Sequence, residues 1–176
     1  MPVEVLERDV PYRGRAFTVR RDRVRHPGGH VSTLDIVEHA ASVTLVPRDE
    51  QGRLWLVRQY RHAAETELLE LPAGTLDPGE TPEACAVREC REEIGMAPSR
   101  LTPLTRLWLV PGYSTEFMHF FLAESLSPSP LAPDHDEQLE VVHLTPAQAF
   151  EAIGRGEILD AKTVIGLCLA YPGRGG

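Results

Sequence analysis

Apolar and polar positions change their spacing along this chain, and the changes divide it into elements. Val3–Asp9, Ala16–Val24 and His30–Glu38 carry enough β-forming residues to predict three strands, with Arg25-His-Pro-Gly-Gly29 as a turn between the last two. Ala41–Pro47 and Leu54–Tyr60 are apolar strands joined by the polar turn Arg48–Gly52. Glu67–Ala73 predicts another strand that runs straight into Gly74. From Thr81 the pattern becomes helical: Thr81 can cap, Pro82 suits the first turn, Glu83 suits the positive helix start, and Gly95 is placed for a left-handed stop. Ala97–Arg100 reads as a linker to strands near Leu104–Val110 and Glu116–Leu122, with a Pro111-Gly112 turn between them. Ser125–Pro133 is a Pro/Ser-rich loop, and the acidic loop Asp134–Glu140 opens a strand over Leu139–Leu144. Helices follow from the Thr145 cap to about Gly154 and over Ala161–Tyr171, with a loose tail from Pro172. The pattern predicts an α/β (α+β) chain in two parts, a small N-terminal β unit over 1–40 and a main domain over 41–176.

On a helix from Pro82, Glu89, Glu92 and Glu93 fall on one side, while Ala86, Val87, Cys90 and Ile94 fall mostly on the other. Like charges at such spacing repel by about 0.2–0.5 kcal/mol per pair. A hard divalent cation with oxygen ligands would turn that cost into a gain. The ordinary alternative is a solvated helix in which Arg88 and Arg91 pair with neighbouring glutamates.

Composition narrows the choices. The 176 residues suffice for one domain with a real core, and 42% hydrophobic with 25% charged residues is usual for a globular chain. Net charge is −8, which argues against broad nucleic-acid binding but not against an anionic substrate held by a metal or a few arginines. No apolar run is long enough to span a membrane and no leader pattern is visible, so a cytoplasmic enzyme is expected. Cys85, Cys90 and Cys168 lack metal-site spacing and read as reduced, mostly buried thiols. Lys162 is the sole lysine among 18 basic residues, an imbalance read as genome composition rather than chemistry.

The whole stretch Gly74–Met96 is more specific than its helix. Gly74, Glu80, Arg88, Glu89, Glu92, Glu93 and Gly95 form the pattern G-x5-E-x7-R-E-x2-E-E-x-G, which resembles the signature of the Nudix hydrolases. Cys90 stands where that pattern prefers an aliphatic residue, and a thiol packs like a small hydrophobe. The resemblance covers about residues 41–171. It implies an α/β/α sandwich with a mixed sheet, and Mg²⁺-dependent hydrolysis of a nucleoside diphosphate derivative, with Mn²⁺ as a possible substitute. Glu89, Glu92, Glu93, the Ala73 carbonyl and Glu137 would hold metal, and Gly74, Glu80, Arg88 and Gly95 would shape the loop and helix.

The same resemblance assigns further roles. Pro111, Gly112 and Glu116 match the subfamily that cleaves ADP-ribose, while Tyr113 stands nearly where dinucleoside polyphosphate hydrolases carry a tyrosine. His135 occupies the place of a glutamate proposed as general base in some relatives, and Asp136, Glu137 and Glu92 are rivals for that role. Arg61 could hold a terminal phosphate, and Arg58 is a second candidate or a surface ion pair. Related enzymes also imply that the Arg-rich N-terminal part, with Arg13, Arg15, Arg20, Arg21, Arg23 and Arg25, serves a homodimer; a solvated edge hairpin is the plain alternative. Three other functions stay open: a dinucleoside polyphosphate or nucleotide-sugar pyrophosphatase, a CoA or RNA-end pyrophosphatase, and a nucleotide sensor without turnover.

Overall fold

The computed structural model describes residues 2–132 and 138–173. The backbone divides into two compact units, one formed by Met1–Ala41 with Leu107–Met118, the other by Ser42–Arg106 with His119–Gly176. The first unit is built on an antiparallel meander, β1 (Glu4–Arg13), β2 (Thr18–Arg25) and β3 (Val31–Glu38). Its register places charges of opposite sign across from one another: Arg8 opposite Asp22, Arg25 opposite Glu4, and Arg21 opposite Asp35. Each pair closes as an ion pair, with the nearest contacts at 2.8, 2.6 and 2.8 Å. Asp22 is buried and also takes Arg20. Much of the basic character read from this segment is therefore spent on cross-strand pairing.

The second unit holds the core. β4 (Ser42–Pro47) is buried along its whole length, because every one of its residues is small or apolar. It lies inside a four-stranded sheet with the order β7 (Ala73–Thr75), β4, β9 (Phe117–Pro128), β8 (Met96–Trp108). A second sheet sets β5 (Leu54–Arg61) between β10 (Glu140–Leu144) and β6 (Thr66–Glu70), both antiparallel to it. α1 (Pro82–Glu93) packs against β4 and β7, and α3 (Ala161–Ala170) packs on β4. One buried cluster joins Val43, Leu45, Val57 and Phe121 to Cys85, Ala86 and Cys90 of α1. A second joins Val46, Leu56 and Leu71 to Ala149 and Ala152 of α2 (Pro146–Gly154) and to Leu167 of α3.

The helix boundaries follow the cap chemistry. Thr81 accepts the Ala84 N–H, Thr145 and Gln148 form a reciprocal capping box, and Asp160 accepts the Thr163 N–H. Gly95 ends α1 at φ +71°, where a side chain would be strained.

Several expected boundaries move. Glu67–Ala73 is two strands in different sheets, broken at Leu71-Pro72, because Pro72 cannot donate to a ladder and its carbonyl accepts the Leu45 N–H instead. The predicted linker Ala97–Arg100 is the first part of β8, and the predicted loop from Ser125 continues β9 to Pro128 past a residue at φ +54°. Cys168 is exposed rather than buried, since it points away from the packed face of α3. The end of the predicted tail lies outside the described residues.

Candidate active site

The loop and helix from Gly74 to Gly95 are organised by one guanidinium. Arg88 donates to both oxygens of Glu80, at 3.0 and 2.9 Å, and to the Thr75 carbonyl at 3.0 Å. Its Nη1 donates to Glu89 at 2.6 Å and to Glu92 at 2.9 Å. Glu80 in turn accepts the Asp77 N–H, so the loop is tied to the helix at both ends of that carboxylate. The Arg88 hydrogen bonds hold the Glu80 carboxyl down to about 2, against the opposing effect of burial. The Arg88 guanidinium is pushed further toward its charged form, first by Glu80. Beside it, burial pushes the Cys85 thiol far up, and the Cys90 thiol up to about 12.

The acidic side of α1 is not a solvated face. Glu89 and Glu93 are 8% and 5% exposed, close to the buried Cys85, Ala86 and Cys90. Both carboxylates meet the backbone of β7. The Glu93 carboxylate accepts the Ala73 N–H at 3.2 Å. The Glu89 carboxylate occupies the space a side chain would need at Gly74, where an added Cβ would stand 1.8 Å from its Oε1. Gly74 is thus required by close approach, not by a special backbone angle. Glu92 is the most open of the three, with 22% of its side chain exposed against 10% for Glu89. Arg91 turns to another partner: its Nε donates to the Ser129 carbonyl.

The structure therefore brings Ala73, Gly74, Glu80, Arg88, Glu89, Glu92 and Glu93 together, with Gly95 ending the helix. Among the described residues no group of three or more His, Cys, Asp or Glu side chains is arranged as a metal cage, because Arg88 draws Glu89 and Glu92 toward itself. The donor set still suits a hard cation. It is all oxygen, it is half-buried, and three carboxylates face one guanidinium while a fourth, Glu93, meets the Ala73 N–H.

The remaining candidates fall elsewhere. Arg58 stands across from Glu140 in the β5–β10 ladder and pairs with it at 3.5 Å. Arg61 ends β5 and grips both oxygens of Glu70 at 2.8 Å. Pro111, Gly112 and Glu116 belong to the first unit: Pro111-Gly112-Tyr113 is a turn, and the Glu116 N–H donates to Ser114 Oγ. His135, Asp136 and Glu137 lie outside the described residues.

Sequence reading missed a group beside the site. Glu70 is 1% exposed and is shared by Arg61 and Lys162. Lys162 also reaches Asp160 at 3.0 Å, Asp160 fixes Thr163, and Thr163 Oγ1 accepts the Leu71 N–H. The one signal available beforehand was that the chain's single lysine stands there.

A strand delivers a glycine under the carboxylates of a Glu-rich helix, and Arg88 clamps the loop. A family model described as NUDIX domain matches residues 38–164, and the chain belongs to that family of hydrolases, which generally use a divalent metal ion. Its similarities extend beyond the domain. It is 36% identical over 171 residues to the ADP-ribose pyrophosphatase of Mycobacterium tuberculosis, covering 96% of this chain and 83% of the relative. It is 33% identical over 162 residues to the ADP-ribose pyrophosphatase of Bacillus subtilis, covering 91% and 88%. A crystal structure of an ADP compounds hydrolase superposes with a TM-score of 0.88 at 27% identity, over 97% of this chain and 92% of that one.

Proposed function

We propose that this chain hydrolyses the pyrophosphate bond of ADP-ribose, giving AMP and ribose 5-phosphate, with Mg²⁺ as its metal and Mn²⁺ as a substitute. The observation that carries the proposal is the convergence of Glu89 and Glu93 on the Ala73–Gly74 backbone, where the missing Cβ makes room for a carboxylate. Likeness to two ADP-ribose pyrophosphatases along nearly the whole chain supports the substrate.

Glu89, Glu92 and Glu93 would hold the metal, with the Ala73 carbonyl and with Glu137. A divalent ion held there would offset the charge of the diphosphate and lower the pKa of water. The chain's own residues do the rest. Glu80 and Arg88 keep the loop and α1 in fixed relation, as groups behind metal ligands do. Glu92, the most exposed carboxylate of the three, can take a proton from water, and His135 and Glu137 share that candidacy. Arg61, with 41% of its side chain exposed, takes a phosphate of the diphosphate bridge, which becomes terminal in the product, and Arg58 adds positive charge. Pro111, Gly112 and Glu116 would meet the nucleoside.

A substrate panel with Mg²⁺ tests this, reading AMP release from ADP-ribose against diadenosine polyphosphates and sugar nucleotides. ADP-ribose should give the highest kcat/KM. Tyr113, 57% exposed, favours the second reading, and a preference for diadenosine compounds would establish it in place of the first. Glu93→Gln should abolish turnover while keeping the thermal midpoint; unchanged turnover would remove the metal assignment.

A homodimer through the N-terminal unit belongs to the same proposal. Nine of the thirteen exposed large hydrophobic side chains among the described residues lie in the first unit, Tyr12, Phe17 and Trp108 included. Light scattering should give twice the chain mass, and a value near 19.5 kDa would reject the dimer. No helix among the described residues is long and apolar enough to cross a membrane, and the free thiols Cys85 and Cys90 suit a reducing cytoplasm.

A further inference from the structure

The charges around Glu70 exceed what holding a strand to a helix requires. Glu70 is almost fully buried, yet both of its oxygens are taken by Arg61 through Nε and Nη2. That bidentate pair takes one lone pair on each oxygen of the carboxylate. Lys162 nevertheless adds its ammonium to Glu70 Oε2 and to Asp160, from a position where its side chain is only 11% exposed. Burial by itself would raise the Glu70 carboxyl; Arg61 and Lys162 override it and hold the group below its ordinary value. Two acids and two bases thus form a neutral quartet. Lysine fits the role better than arginine would. An ammonium is compact and can bond two carboxylates at an angle, whereas a second fork would compete with Arg61 for Glu70.

We infer that Lys162 is a positioning residue for phosphate recognition, acting through Glu70 to keep Arg61 fixed and its outer edge positive. With Nε and Nη2 held by Glu70, Nη1 is, among the described residues, the edge that remains for an anion, and Arg61 lies close enough to Glu93 to feel its charge. Removing the ammonium leaves Glu70 and Asp160 against Arg61 alone. The local potential turns negative, and Glu70 no longer has a second cation to share its charge. This inference rests on the proposed phosphate role of Arg61.

The test uses the full chain without metal, titrated calorimetrically with ribose 5-phosphate and with inorganic phosphate, beside steady-state kinetics with Mg²⁺. K162M and K162Q should weaken ribose 5-phosphate binding by about five-fold or more and raise KM alongside, with kcat within about two-fold. In an R61A background K162M should add nothing. A purely structural lysine would lower the thermal midpoint and leave phosphate affinity alone. Unchanged affinity in both lysine variants, or an equal loss with and without Arg61, overturns the inference. R61A binding like wild type, or wild type binding neither probe, removes the anion site and the inference with it. Failure to hydrolyse any nucleotide sugar would overturn the proposed function, while the phosphate titrations would still decide Lys162.

Discussion

Gly74→Ala separates the role of the loop glycine in folding from its role in chemistry. The new Cβ would stand 1.8 Å from Glu89 Oε1, 2.0 Å from its Cδ and 2.5 Å from Oε2, so the carboxylate must retreat by more than 1 Å. What retreats is the far end of a flexible side chain. Its retreat breaks the 2.6 Å hydrogen bond from Arg88 Nη1, in a pair whose side chains are 26% and 10% exposed. Such a partly screened pair is worth on the order of 1 kcal/mol. Alanine recovers about 0.4–1 kcal/mol by restricting the unfolded chain. The net change in stability should lie within about 1 kcal/mol, a midpoint shift of no more than about 4 °C for a chain of this size. Activity should respond differently, because a misplacement of about 1 Å at a reacting centre can cost about a hundred-fold. The assay pairs thermal unfolding, with and without Mg²⁺, with AMP release. Wild type should gain stability from Mg²⁺ and Gly74→Ala should gain little. Gly74→Ala should also add nothing to Glu89→Ala, which empties the same space. Wild-type turnover in Gly74→Ala would refute the placement of Glu89 at the reaction. A midpoint loss beyond about 8 °C would refute the claim that only a side-chain tip is in the way.

Two further perturbations probe the surroundings. Glu80, held near 2 in the folded chain against 4.5 ordinarily, contributes stability that is fully present above about 4.5 and lost as pH falls toward 2. Urea unfolding at pH 7, 4 and 3 should show Glu80→Gln weaker than wild type by on the order of 1–2 kcal/mol at neutral pH, after screening, with the gap closing in acid; a gap constant with pH would deny the ion pair its role. Gly166→Ala would put a Cβ 2.7 Å from Leu71 Cδ1 and 3.3 Å from Val46 Cγ2 inside the core. Overpacking of about 1–3 kcal/mol, less about 1 kcal/mol of helix propensity, should lower the thermal midpoint by several degrees with kcat kept. An unchanged midpoint would mean that Leu71 can turn aside.

Local sequence carried the elements whose ends have their own chemistry. Thr81, Thr145 and Asp160 each accept a backbone N–H three residues on, so those helix starts depend only on neighbours in sequence. Boundaries set by distant partners were not legible. Strand β8 begins at Met96 and runs through what reads as a linker over Ala97–Arg100, because a sheet neighbour can draw a Pro-containing segment into extended pairing whatever its local propensity. The break at Pro72 was written in the sequence, but its result, a strand passing from one sheet to another, depends on where Leu45 offers its N–H.

The site shows the same division at the level of charge. The spacing from Gly74 to Gly95 encodes which side of α1 is acidic, and that side does meet the Ala73–Gly74 backbone. Spacing alone does not say which cation answers which carboxylate. Arg88 answers three of them because its Cα lies one turn or less from Glu89 and Glu92 while the loop folds Glu80 back over it. Arg61, read as a bare phosphate ligand, is bound to a carboxylate nine residues on in the neighbouring strand, and that carboxylate is shared with a lysine 92 residues further on. An arginine tethered in this way loses little side-chain freedom when it meets an anion, so tethering and binding support each other. Had Glu70 been exposed, the pair would be an ordinary surface contact of small value. At 1% exposure its charge has to be answered within the protein, which makes the choice and number of its cations a property of the fold.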